Sequence, residues 1–156
     1  MIRKDLVDEI VAHALRDHPR EACGVLAGPE GSDRPERAIP MFNNAQSDTF
    51  YEFEPSEHQR VYRTLDEGDE RVVVIYHSHT STEAYPSRTD IAVASGPLAD
   101  TSAHYVLVST REDQPAGEHE FRSYRIVDGA VTEEPVEVVE SYMFSHTGAD
   151  DVPDGR

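Results

Sequence analysis

One cysteine, Cys23, is all that the 156 residues contain. That excludes an intramolecular disulfide and every zinc ribbon built from several thiolates. Basic side chains are scarce too, with 14 lysines and arginines against 31 acids and a formal charge of -17. A surface of that sign repels phosphate backbones, and no dense Lys/Arg cluster offers an opposing field, so nucleic acid is not an expected partner. The excess acid suits a basic protein partner or a salty cytoplasm, and composition does not choose between them. Long apolar runs are also missing. Nothing approaches the ~20 residues that span a bilayer, and "MIRKDLVDEI" is too charged for the core of a signal peptide. Both point to the cytoplasm and to no membrane partner. At 37% hydrophobic the chain is lean, but its apolar residues come in blocks, as one folded domain requires.

From Lys4 to His18, apolar residues at Leu6, Val7, Ile10, Val11, Ala14 and Leu15 fall at helical spacing, and Pro19 closes the stripe. "ACGVLAG" then reads as a short buried strand ending at Gly28, and "PEGSDRPE" as a loop. "RAIPMFN" and "FYEFEP" read as two strands joined by the polar "NAQSD". Pro55 and Ser56 open a second helix over Ser56–Glu67, with Val61 and Leu65 inward. "RVVVIY" is β-branched and oily without alternation, as in a strand covered on both faces. A short helix over Ser87–Ala94 follows. "HYVLVST", "EFRSYRIV" and "AVTEEPVEVV" supply three more strands, the last two joined by the hairpin dipeptide Asp128–Gly129. "SHTGADDVPDGR", from Ser145, reads as a loose acidic tail. The pattern predicts an α/β or α+β domain over residues 1–144, a mixed central β-sheet with helices on both faces, and a flexible tail over 145–156.

The chemistry concentrates in "HSHTSTEAYPSRTD". His77 and His79 follow the buried strand, and residues two apart in extended backbone point to one side, so both imidazoles can reach one ion. Alone, an H-x-H is more often a coincidence, and "SRTD" has the form of a capping box, with Ser87 as N-cap and Asp90 three residues on. Together they offer more. An aspartate in the first turn of a helix beside that strand end can face the histidines. Two imidazoles and a carboxylate suit zinc and leave a fourth position for water, as catalytic sites do. Other zinc hydrolases fail on motif, since "HEFRS" at His119 lacks the second histidine of H-E-x-x-H. One cysteine cannot supply the P-C-x-x-C of nucleobase deaminases. Cys23 itself, between Ala22 and Gly24, reads as a buried strand residue rather than a nucleophile. Ser78 should point away from its flanking histidines, toward packing. Tyr85 and the aromatics of Phe50–Phe53 could line a groove, with core packing the better reading. His13, His18, His58, His104, His119 and His146 are scattered and receive no role.

H-S-H, seven residues, then S-x-x-D resembles the signature of the JAMM (MPN+) metallopeptidases. Glu21, in "REACGVLAG", stands where that family carries an upstream glutamate. The resemblance spans roughly Met1–Tyr142, and "YHSHTSTEAYPSRTD" and "HYVLVST" are most similar to the bacterial Mec-type branch. It implies a cytidine-deaminase-like fold and one zinc ion with a bound water, held by His77, His79 and Asp90. It also implies Glu21 as the proton-transferring base and Ser87 as the oxyanion donor. The substrate it implies is a ubiquitin-like sulfur-carrier protein ending in Gly-Gly and joined to cysteine, from which L-cysteine is released. From the residues alone, Glu21 is one acid among many, and Glu83 is nearer the histidines in sequence. Many relatives have proline where this chain has Thr80, and the large insertions that grip ubiquitin chains are not apparent. A general isopeptidase acting on lysine conjugates and a non-catalytic scaffold are the rival readings, and a homodimer stays open.

Overall fold

Glu70–His79 form the longest strand, and the rest of the chain is arranged around it. The computed structural model describes residues 1–96 and 99–144. In chain order the elements are β1 (Ile2–Arg3), α1 (Lys4–Asp17), β2 (Cys23–Pro29), β3 (Arg37–Met41), α2 (Pro55–Glu67), β4 (Glu70–His79), α3 (Arg88–Ala94), β5 (His104–Ser109), β6 (Phe121–Val127), β7 (Ala130–Glu134) and β8 (Val138–Val139), with a 3-10 turn at Tyr142–Phe144. Six strands make one sheet in the order β3-β2-β4-β5-β6-β7. β4 and β5 are parallel and the other neighbours antiparallel. The mixed sheet with helices on both faces is thus as expected, and β4 lies inside it, where an oily run is satisfied.

Each face has its own core. Leu6, Ile10 and Ala14 of α1 pack on Leu26, Val73, Val74, Tyr76, Val106 and Val108. Leu65 of α2 and Ala94 near the end of α3 pack on Val25, Val72, Ile75, Leu107 and Tyr124. The split exposes a device in β4. Leu26 pairs with Val74 but Ala27 with Val72, so Val73 is an extra residue in a β-bulge. Val73 and Val74 both join the α1 core, and the alternation changes phase there. Ile75 therefore faces the α2–α3 side, with His77 and His79 following it at every second residue. Without the bulge the same pattern would turn both histidines toward α1.

Local chemistry sets the element ends. Glu54 caps α2 by accepting from the Ser56 and Glu57 amides, with Pro55 in the first turn. Asp128 and Gly129, at φ 49 and 82, make the β6–β7 hairpin turn. α1 is fixed to the sheet by a 2.7 Å hydrogen bond between His13 Nδ1 and the Tyr76 hydroxyl.

Three expectations need correction. "FYEFEP" is not a strand and contributes only an isolated bridge, Phe53 with Asn43. Its backbone is tied to a side chain instead: Asn43 Oδ1 accepts from the Glu52 and Ala45 amides, and Nδ2 donates to the Phe50 carbonyl. "AVTEEPVEVV" is not one strand. Pro135 has no amide hydrogen to continue the ladder, so β7 stops at Glu134 and β8 pairs in parallel with β1 in a separate sheet. Tyr85 is not core but half exposed, with its ring edge against Tyr124. The expected tail over 145–156 lies outside the described residues.

Candidate metal centre

β4 runs through both histidines, so they are its last residues rather than the start of a loop. Parallel pairing with β5 reaches His79, opposite Ser109, which rigidifies the strand end where ligands gather in sheets of this kind. Between them, Ser78 is fully buried on the opposite face. Its hydroxyl accepts from the Ala22 amide at 2.8 Å, tying β4 to the approach of β2. Ser87 caps α3 in a capping box: its Oγ accepts from the Asp90 amide at 3.0 Å, and its own amide donates to Asp90 Oδ2 at 2.9 Å. The capping reading of "SRTD" is therefore correct, and the same box aims Asp90 at the strand end. Glu21 arrives just before β2. Its amide donates to the Ser47 carbonyl, and its carbonyl accepts from Asn43.

These elements bring the five predicted site residues to one place. His77 Nε2 lies 3.0 Å and His79 Nε2 2.9 Å from the same Asp90 Oδ2, and the two nitrogens are 3.3 Å apart. Four tetrahedral ligands at zinc distances are separated by about 3.3 Å, so the triangle is close to one face of such a site. Glu21 and both histidines also offer ligand atoms lying within 4.8 Å of one another. All four side chains are buried.

Hydrogen bonding makes the fit sharper. His79 Nδ1 is 2.9 Å from the Glu83 carbonyl, which can only accept, so the ring proton of a neutral His79 belongs on Nδ1. Nε2 then turns a lone pair toward the Asp90 carboxylate. Two electron pairs at that distance need a positive charge between them, either a second proton or a metal ion. Glu21 Oε1 and His77 Nδ1 are buried with no hydrogen-bond partner among the described residues, a cost that a structural cluster would not carry. The residues fit a divalent metal.

The electrostatics agree. Burial pushes the Glu21 carboxyl up to about 8, partly offset by His79. Burial also disfavours the ionised Asp90, but the two imidazoles outweigh it and hold the carboxyl well below the usual range. Desolvation lowers His77. At His79 burial opposes the charged ring, and the bonds to Asp90 and the Glu83 carbonyl overcome it and raise the imidazole. Cys23 is fully buried and burial drives its thiol far up, as suits a packed strand residue.

Sequence reasoning missed several neighbours. Tyr51 stacks on His77, with ring centres 4.2 Å apart and planes 25° from parallel. Asn43 fixes both the Glu21 backbone and the loop carrying Tyr51. The Glu83 contribution is its carbonyl, while its side chain stands in an exposed turn. A groove of about 440 Å3 runs beside the centre, with Phe50, Tyr51, Phe53 and Val93 among its lining. Core packing thus describes buried Tyr51 but not Phe50, which is 40% exposed.

Comparisons with known proteins place the chain in a family. Residues 3–127 match the family model of prokaryotic homologs of the JAB domain. The chain is 65% identical over 142 residues to a CysO-cysteine peptidase of Mycobacterium tuberculosis, covering 91% of this chain and 92% of that one. It is 35% identical over 98 residues to a desampylase of Haloferax volcanii, covering 60% and 70%. A solved structure from Desulfitobacterium hafniense superposes with a TM-score of 0.75 at 27% identity, covering 94% and 98%.

Proposed function

This chain belongs to the prokaryotic JAB family, its named relatives include peptidases and a conjugate-cleaving protease, and on that premise we propose that it releases L-cysteine from a ubiquitin-like sulfur-carrier protein. The bond cut is the amide between the carrier's terminal glycine and the cysteine nitrogen. The observation that carries the reading is the triangle of His77, His79 and Asp90 with the partnerless Glu21 carboxylate beside it. The choice of substrate is supported by 65% identity to the CysO-cysteine peptidase over nearly the whole chain.

His77, His79 and Asp90 would hold one zinc ion. When bound there, it supplies a Lewis acid for the scissile carbonyl and brings the pKa of water toward about 7. Glu21 takes the proton of the attacking water and gives it to the departing nitrogen, so its carboxylate must be basic and within reach of both. Burial without a hydrogen-bond partner keeps that carboxylate basic. Ser87 Oγ already accepts from the Asp90 amide, which leaves its hydroxyl proton free to donate to the oxyanion. His79 is held in its tautomer by the Glu83 carbonyl and His77 in its plane by Tyr51. The apolar groove suits an extended Gly-Gly tail, which has no side chains to clash with its walls. Among the described residues no helix is long and apolar enough to cross a membrane, and we place the reaction in the cytoplasm.

The test is direct. Zinc-loaded protein mixed with CysO–cysteine should liberate free cysteine, stop on chelation and resume when zinc is restored. No release from that adduct under zinc overturns the substrate. A second reading, an isopeptidase for lysine conjugates, is favoured by the similarity to a desampylase. It takes precedence if a lysine-linked carrier is cleaved faster than the cysteine adduct.

A further inference from the structure

The proton that Glu21 delivers goes to the leaving nitrogen, so whatever is attached to that nitrogen must lie beside Glu21. A recess of about 480 Å3 is there, lined by Glu21, Arg16, His18, Arg20, Met41 and Phe42 among others. It differs in character from the apolar groove next to Tyr51. In a chain with 31 acids and 14 lysines and arginines, two arginines and a histidine share the lining of one small cavity with the acids Asp17 and Glu21.

Those three side chains are not equivalent. Arg16 sits 3.8 Å from the Asp17 carboxylate. His18 bonds Thr110 Oγ1 at 2.8 Å through Nδ1 and lies 3.7 Å from Glu112. Arg20 has an anchored backbone, its amide donating to the Asp17 carbonyl at 2.9 Å. Its exposed guanidinium makes no ion pair or side-chain hydrogen bond among the described residues. A planar fork of donors left over in so acidic a molecule matches a carboxylate. Asp48, whose charge reaches Glu21, makes the approach of an anion unfavourable unless such a cation answers it.

Resting on the function proposed above, we propose that this recess receives the departing amino acid and that Arg20 reads its free α-carboxylate. A lysine side chain in isopeptide linkage carries only methylenes next to the nitrogen, so it offers Arg20 nothing to bind. Arg20 then becomes the residue that separates release of a free amino acid from general deconjugation. Met41 and Phe42 give the recess an apolar wall for a small thiol side chain.

The experiment compares CysO joined to cysteine with CysO joined to cysteinamide, in which the carboxylate is capped. Zinc-loaded wild type should favour the acid by about ten-fold in kcat/KM, the lower range for a hydrogen bond to a charged group, with the difference in KM. Arg20→Ala should bring that ratio toward one by raising KM for the acid, and Arg20→Lys should recover part of it. Equal handling of both adducts by wild type, or a ratio in Arg20→Ala unchanged from wild type, overturns the role of Arg20 while leaving the hydrolase intact. A wild type that cleaves neither adduct removes the proposed function, and this inference with it.

Discussion

Glu21 is one of two carboxylates beside the imidazoles, and a buried carboxylate can ligate an ion or move a proton. Asp90 meets both Nε2 atoms with one oxygen at about the spacing of a shared ion, whereas Glu21 Oε1 touches no hydrogen-bonding group among the described residues. On the function proposed above, that division gives ligation to Asp90 and proton transfer to Glu21. Glu21→Gln keeps the shape and removes the basicity. It should retain close to one zinc per chain while turnover falls by roughly 10²–10⁴-fold, the usual weight of a general base. Metal analysis beside a cysteine-release assay checks this, and loss of zinc from the variant would make Glu21 a ligand instead. His77, His79, Ser87 and Asp90 were legible because they lie within one short stretch governed by strand alternation and a capping box. Glu21 was legible only through resemblance. It is 56 residues before His77 in the chain, and only the antiparallel pairing of Cys23 with His77 brings the two together. Tyr51 was read only as one of the aromatics that line a groove or pack in the core, and its stacking on His77 left no trace in the pattern because it depends on a loop shaped by Asn43.

At the scale of elements, the site depends on how closely β2 and β4 approach. A Cβ added at Gly24 would sit 2.4 Å from the Tyr76 hydroxyl oxygen and nearly as close to its ring. That ring cannot swing away freely, because Tyr76 is buried and its hydroxyl is bonded to His13, which pairs with Asp17 at 3.1 Å. Gly24→Ala should therefore cost about 1–3 kcal/mol, the usual penalty for overfilling a packed interior, read as a lower midpoint in urea with an unchanged slope. A neutral variant would show that the strands can part without loss. α1, α2, α3 and the β6–β7 hairpin were readable because their periodicity, caps and turn residues are local. The two misread segments failed for reasons outside their own pattern: in the 50–54 stretch the Glu52 amide donates to the Asn43 side chain and the Phe50 carbonyl accepts from it, and the end of "AVTEEPVEVV" finds β1 across the molecule. The bulge at Val73 was invisible for a related reason. "RVVVIY" is apolar at every position, so its pattern holds no record of the phase change that turns the histidines toward α3.

For the whole molecule the dominant physical fact is charge. Surface pairs such as Arg37–Glu70, Lys4–Asp8 and Arg122–Glu133 are present, but exposed pairs contribute at most ~1 kcal/mol each and weaken as salt is added. The formal charge of -17 means that most acids have no basic partner available anywhere in the chain. Their mutual repulsion acts over the Debye length, which falls from about 30 Å at 0.01 M salt to about 8 Å at 0.15 M. Spread over a molecule of this size, repulsion among many carboxylates outweighs the few attractions that salt also screens. The melting temperature of the zinc-loaded protein should therefore rise as sodium chloride goes from 0.01 to about 0.15 M and level off beyond, where screening is nearly complete. Thermal melts across that series, with zinc held in excess so that metal occupancy does not vary, measure it. A melting temperature that falls over the same range would mean that the ion pairs, rather than the unpartnered carboxylates, set the electrostatic balance of the fold.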